Sequence, residues 1–262
     1  MNFLGPRLIP ADNTFLTVRA PHGFHLALDL REHLQREAYY LGYVQHLVVR
    51  IFADHVKAGT TVFDLGANFG QFTLLAAQLV GPGGQVFAFD PSPQAFAALQ
   101  RNVALNGFPQ VICRQVAVSN APGTTTFYAT PSTDLGTGSL AQAAAEHFHR
   151  DAAPITVNVE RLDDYFDQVP RPVSVIKMDI QGAELLALQG AERLIRYHHP
   201  ALLLEVEGEL THAFGYRPED LGAYLRDLGY GRIYSVPRRP WHRPKLLNWR
   251  ELESHDILCL LN

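Results

Sequence analysis

The chain has 262 residues, 47% hydrophobic and 18% charged, with a formal net charge of −4. That balance excludes a disordered chain and gives no general attraction for nucleic acid. No apolar run is long enough to span a bilayer and the first residues lack a secretory pattern, so a cytoplasmic protein without a membrane partner is expected.

Two alternating stretches, 14–19 and 24–29, flank the turn Ala20-Pro21-His22-Gly23 and predict a hairpin. Apolar residues at helical spacing predict one helix over 41–56, stopped near Gly59. From Thr60 onward, strand and helix alternate. Strands are predicted over 61–65, 85–89, 111–116, 173–178 and 201–206. Helices are predicted over 69–79, 93–105, 183–188 and 218–228. Near-continuously apolar strands separated by helices mean a parallel sheet covered on both faces. The stretch 123–160 breaks the pattern: strand-like ends flank a segment too long for a plain connection, a candidate lid or substrate loop. Strands over 232–236 and 256–261 predict an antiparallel hairpin at the sheet edge. Cys113 and Cys259 both sit in apolar strands, as small buried hydrophobes of a reducing compartment would.

The most informative run is Asp64-Leu65-Gly66-Ala67-Asn68-Phe69-Gly70, where a strand ends in an acid, passes a Gly-rich turn and enters a helix. Gly66 suits a tight turn or a close ligand approach, and Gly70 lets the helix pack near the strand. Asp90 ends the next strand, where an acid accepts both ribose hydroxyls of an adenosine ligand. Asn68 stands where the second glycine of a dinucleotide fingerprint lets a pyrophosphate touch the backbone. A side chain there crowds a pyrophosphate. Asp64 repels phosphates but suits a ligand carrying an ammonium and a sulfonium. Taken alone, the turn leaves a mere strand-to-helix connector open.

The same run resembles the first motif of the FkbM-type methyltransferase family. Phe89-Asp90-Pro91-Ser92-Pro93 resembles the second motif, with Asp90 where the family usually carries Glu. Lys177-Met178-Asp179-Ile180-Gln181-Gly182-Ala183-Glu184 is similar to the family's most specific signature, followed by Leu188-Gln189-Gly190 and Leu204-Glu205-Val206. The resemblance spans about residues 38–208 by order and spacing of motifs. It implies an α/β, Rossmann-like class I methyltransferase fold: a mostly parallel seven-stranded sheet with an antiparallel C-terminal edge. It also implies S-adenosyl-L-methionine as donor and a hydroxyl on a sugar, glycan or secondary metabolite as acceptor. The chain reads as one domain over 1–262. An N-terminal hairpin-and-helix extension (1–58) offers a homodimer interface. A cofactor core (59–208) carries the 123–160 insertion, and a C-terminal helix and edge hairpin (209–262) follow.

Ligands of open parallel sheets bind beyond the carboxyl ends of the strands. The cofactor site is therefore expected at Asp64, Gly66, Ala67, Asn68, Phe69, Gly70, Asp90, Pro91, Ser92, Gln115, Val116, Ala117 and Asp179. Asp64 and Asp179 would face the ammonium and sulfonium, Asp90 the ribose, Pro91 and Ser92 the adenine faces, and Gln115 to Ala117 its edge. Removing a hydroxyl proton asks for a base, and Asp179 is the first candidate. Lys177 and Glu184 complete the catalytic expectation. Lys177 also reads as half of a structural ion pair, and Glu184 as a helix-start residue satisfying local amides. No ligand spacing demands a metal; Asp179, Glu184 and Glu205 leave a divalent ion as a minor option. His147 and His149 in the lid are candidate acceptor contacts. Trp241 and Trp249, interleaved with basic residues over 237–250, either stack on an acceptor or anchor a solvated loop. The alternatives are an NAD-dependent oxidoreductase and a non-catalytic S-adenosylmethionine-binding protein of the same fold.

Overall fold

The computed structural model describes residues 14–169, 171–237, 243–247, 249 and 254–261. It opens with the expected antiparallel hairpin of β1 (Phe15–Arg19) and β2 (His25–Asp29). The helix expected over 41–56 forms as α2 (His46–His55), and a helix that apolar spacing did not predict, α1 (His33–Leu41), precedes it. Gly42 and Gln45, both at positive φ, separate them. The start of α1 is set by Glu32, whose carboxylate accepts from the Gln35 N–H at 2.7 Å. A cap of that kind carries no apolar periodicity, so the spacing of hydrophobic residues missed it.

Next come β3 (Thr61–Leu65), α3 (Gln71–Val80), β4 (Gln85–Phe89), α4 (Pro93–Asn106) and β5 (Val111–Arg114). The strand expected over 111–116 therefore stops early. The chain leaves the sheet there, and β6 (Ala117–Val118) joins a second sheet with β7 (Gly123–Ala129) and β8 (Ala153–Glu160). The short helix α5 (Gln142–Phe148) lies between β7 and β8.

The main sheet resumes with β9 (Val173–Met178), then α6 (Glu184–Gln189), α7 (Glu192–His198) and β10 (Ala201–Glu207). The chain continues with α8 (Gly208–Ala213), α9 (Pro218–Asp227), β11 (Arg232–Val236), β12 (Lys245–Leu246) and β13 (Ser254–Leu260).

The main sheet has the order β12-β11-β13-β10-β9-β3-β4-β5, eight strands rather than seven. From β10 to β5 it is parallel. The expected antiparallel C-terminal edge is present as the pair β11–β13, with β13 seated between β11 and β10 and antiparallel to both, and β12 added outside β11. The β13 run Ile257-Leu258-Cys259 is buried throughout, the mark of a strand covered on both faces rather than one at an edge.

Apolar clusters fill both faces. One holds Phe63, Phe87, Phe89, Leu188 and Leu204. On the other face, Leu26, Leu28, Val48 and Phe52 from the N-terminal elements pack against Val62, Leu74 and Leu75. Full burial of each such side chain contributes about 1.5–3 kcal/mol. The chain leaves β3 toward β4 on one side and returns at β9 on the other, so a crevice opens between the carboxyl ends of β3 and β9.

Candidate active site

A cavity of about 510 Å³ occupies that crevice. Its floor begins at the turn after β3. Gly66 has φ +75°, and a Cβ there would stand 1.8 Å from the Asp179 carbonyl oxygen. Only a residue without a side chain lets the two strand ends pass so closely. The Gly66 and Ala67 N–H groups donate to the Phe89 carbonyl at 2.9 and 3.0 Å, tying the turn to the end of β4.

Asp90 follows β4 directly. Its Oδ2 accepts from the Asn68 N–H at 2.8 Å and its Oδ1 from the Ser92 N–H at 2.9 Å. The carboxyl lines the cavity, braced on both oxygens. Burial pushes its pKa up to about 7, against the pull of the two amides and with the charges of Asp64 and Asp179 adding. Gly66, Asn68, Pro91, Val116 and Ala117 line the same cavity, with Val118, which sequence reasoning missed. Asn68 has φ +50°, and its buried Oδ1 has no partner.

Other expected cofactor residues stand behind this wall. Ala67 and Phe69 pack into apolar clusters, and Gly70 starts α3 against Leu99. Ser92 caps α4, and Gln115 is exposed where the chain leaves β5. Asp64 is fully buried below the cavity, where the Thr73 hydroxyl donates to its Oδ2 at 2.6 Å. Burial raises its pKa against the nearby Lys177 charge. Its place at the strand end was legible; the depth was not, because α3 folds back over it.

The second acidic wall comes from β9 and β10. Lys177 is buried, its Nζ 3.4 Å from Asp179 Oδ2 and 4.7 Å from the Phe72 ring centre. Burial works against its ammonium, but Asp179, Asp64, Glu205 and Asp256 outweigh it and raise the pKa. Lys177 does not line the cavity; it is a buried counter-ion beneath Asp179. Asp179 lines the cavity. Burial opposes its ionisation, yet Lys177 and hydrogen bonds from Glu205, Gln181 and Lys177 hold its pKa below the usual carboxylate range. Glu205, also a lining residue, is pushed well up by burial and then by the charge of Asp179 beside it. The Gln181 amide spans the pair, donating to Asp179 Oδ1 at 3.2 Å and Glu205 Oε2 at 3.1 Å.

The catalytic expectation for Glu184 is corrected by its direction. Its Oε1 accepts from the Ile180 and Gly182 N–H groups at 3.2 and 3.3 Å. The side chain is buried, does not line the cavity, and has a pKa raised to about 7 by burial. It holds the turn that carries Asp179 and Gln181. Among the described residues, no group of three His, Cys, Asp or Glu is arranged to hold a metal.

The 123–160 excursion covers the cavity with Asp134, Leu135, Gly136, Leu140 and Phe148. It is fastened at several points. The Ser139 hydroxyl donates to the Gln181 carbonyl at 3.0 Å, and the His33 N–H to the Thr133 carbonyl at 3.0 Å. His149 Nε2 meets Asp134 Oδ2 at 2.9 Å, and His147 Nδ1 lies 3.2 Å from Glu209 Oε2. His147 ties the lid to α8 and His149 ties the lid to itself, and neither lines the cavity. His33 does, through the helix that apolar spacing missed. Trp249 packs on Gly222, where a Cβ would stand 2.5 Å from its ring, and so anchors in the core. Trp241 lies outside the described residues. Among those residues, no helix is long and apolar enough to cross a membrane.

A parallel sheet with this strand order, a glycine-hinged turn at its switch point and a braced acid after the second strand define a Rossmann-like class I methyltransferase fold. Residues 64–231 match the model of the methyltransferase FkbM domain, and the chain belongs to that family. It is similar to "Methyltransferase 1" of Beauveria bassiana, 28% identical over 145 residues, which are 50% of this chain and 58% of that one. "Methyltransferase sdnD" of Sordaria araneosa is 27% identical over 217 residues, 71% of this chain and 82% of its own. "31-O-demethyl-FK506 methyltransferase FkbM" of Streptomyces tacrolimicus is 38% identical over 122 residues, 43% of this chain and 42% of its own. The chain thus spans less than two thirds of the first and third of these relatives.

Proposed function

We propose that this chain is an S-adenosylmethionine-dependent O-methyltransferase that modifies a hydroxyl of a small molecule or glycan. One observation carries the reading. Asp90, Asp134, Asp179, Glu205 and Glu207 line the cavity, and among the described residues no Lys or Arg does. Such a rim suits a cationic donor without phosphates and opposes a pyrophosphate. The unpartnered Asn68 Oδ1 fits the same ligand, because a buried acceptor without a donor carries a desolvation cost that an ammonium would relieve. One relative, named a 31-O-demethyl-FK506 methyltransferase, supports a hydroxyl acceptor.

When bound, S-adenosylmethionine supplies a methyl group on a cationic sulfonium. Asp90 accepts from the ribose hydroxyls, and Pro91, Val116 and Ala117 give the adenine an apolar seat. Asp179 is the candidate base that would accept the proton of the acceptor hydroxyl; the Lys177 ammonium beneath it favours its ionised form, which makes it a ready hydrogen-bond acceptor but a weak base. Leu135, Leu140 and Phe148 of the lid exclude water, which strengthens every charge interaction inside.

Calorimetry with S-adenosylhomocysteine and with NAD tests the donor. Binding of the first alone supports the proposal; binding of NAD alone would end it. A panel of hydroxyl-bearing sugars and metabolites, scored by mass for an added methyl group, then separates an enzyme from a scaffold that only binds. Activity that survives thorough chelation would set a metal aside.

A further inference from the structure

Gln181 is more than a lining residue. Its backbone is left-handed, at φ +53°, a cost that a non-glycine residue keeps only where its surroundings over-determine it. The side-chain amide bridges the two acids that face the cavity, at 3.2 and 3.1 Å. Its Oε1 is buried without a partner, so the two carboxyl groups alone fix the amide's orientation. On the other side of the same residue, the carbonyl receives the hydroxyl of Ser139 at 3.0 Å. Ser139 is itself buried and exchanges backbone hydrogen bonds with Tyr128, at the point where the lid leaves β7.

We infer that Gln181 is a positioning residue that joins the lid to the base: its side chain aligns Asp179 with Glu205, and its carbonyl latches the lid at Ser139. The inference rests on the methyltransferase reading for its meaning but not for its test. The acid pair also feels Lys177 from its own strand, Asp64 from β3, Asp90 after β4, Asp256 from β13, and Glu207 and Glu184 nearby. All of these stay in place in the variants below, so a change belongs to Gln181.

The experiment is a carboxyl carbon NMR titration, with Asp179 assigned by loss of its signal in Asp179→Asn. In Gln181→Leu the amide donor is gone and the carbonyl latch remains. Asp179 is expected to titrate about one pH unit higher than in the native chain. Gln181→Glu, isosteric with the native side chain, replaces the donor with a third acid and moves Asp179 in the same direction. Ser139→Ala removes the latch and leaves the amide. Amide exchange across the lid around Asp134 to Leu140 is then expected to quicken about fivefold, with the Asp179 titration unmoved.

An unchanged Asp179 titration in both Gln181 variants, or unchanged lid exchange in Ser139→Ala, overturns the inference. Binding of S-adenosylhomocysteine to the native chain is scored separately. Its absence would sink the functional reading while the titration still decides the role of Gln181.

Discussion

Replacing Asp90 by Ala separates binding from folding. In the native chain Asp90 gives its two oxygens to the Asn68 and Ser92 amides and still lines the cavity. A ribose diol would add two hydrogen bonds to a charged group, each contributing about 1.5–3 kcal/mol. Losing both, even at the lower value, weakens S-adenosylhomocysteine binding by at least about a hundredfold. The fold has less to lose. Burial and the nearby acids lift the Asp90 pKa from 3.8 to about 7 despite its two amides, so above that pH the ionised form carries a net cost of about 4 kcal/mol that Ala removes. Against that stand two amides without their acceptor, at about 1–3 kcal/mol each, which water in the opened cavity partly repays.

The sign of the pH effect follows. Between 3.8 and about 7 the folded chain holds a proton on Asp90 that the unfolded chain has released. The contribution of Asp90 to stability is therefore complete below 3.8 and lost as pH rises through about 7. On the proposed reading, in which Asp90 holds the ribose, cofactor binding needs the ionised form and runs the other way. From about pH 6 to about pH 8, the native affinity is expected to rise about tenfold, and that of Asp90→Ala to stay flat. Calorimetry across that range, with a thermal melt of each protein, measures both. Near-native affinity in Asp90→Ala would mean that the ribose lies elsewhere. A collapsed melting temperature would mean that Asp90 holds the turn rather than the ligand.

Three further substitutions probe the neighbouring walls. Lys177→Met leaves Asp179 and Asp64 without their buried counter-ion and is expected to cost about 3–5 kcal/mol in urea unfolding; a change below about 1 kcal/mol would show that the ammonium is not what holds these acids together. Gly66→Ala places a Cβ against the Asp179 backbone oxygen, whereas Gly70→Ala meets only the end of the Leu99 side chain, at 2.8 Å. The first is expected to abolish soluble folded protein and the second to cost about 1–2 kcal/mol. The reverse order, seen in circular dichroism of the two variants, would refute the close crossing of β3 and β9.

The parts of the molecule written as periodic apolar runs were legible from the sequence. Residues 61–65, 85–89 and 173–178 are strands with the expected bounds, because a strand covered on both faces must be apolar along its whole length. The turn at Gly66 and the acid at Asp90 were legible for a different reason, since each is a local requirement of the backbone or of a ribose. What stayed hidden depends on long-range geometry. The direction of Glu184 is set by the turn it closes, and the burial of Asp64 by α3. The break at Gly42 and the cap at Glu32 belong to hydrogen bonds that hydrophobic spacing does not record. Glu205 and Gln181 were visible as residues of strand and turn, but their meeting with Asp179 needs two strands brought side by side. His33 reaches the cavity only because the lid rests on α1.

The place of β13 has a consequence for how the sheet is completed during synthesis. Residues 254–260 fill the gap between two strands that precede them in the chain. Until they arrive, β10 and β11 each present a row of unpaired backbone groups, the kind of edge that recruits a strand from another chain. β10 also carries Glu205, so the acid wall of the cavity acquires its lasting neighbour only at that last step. The sheet beside the candidate site closes only when residues 254–260 pair with both β10 and β11.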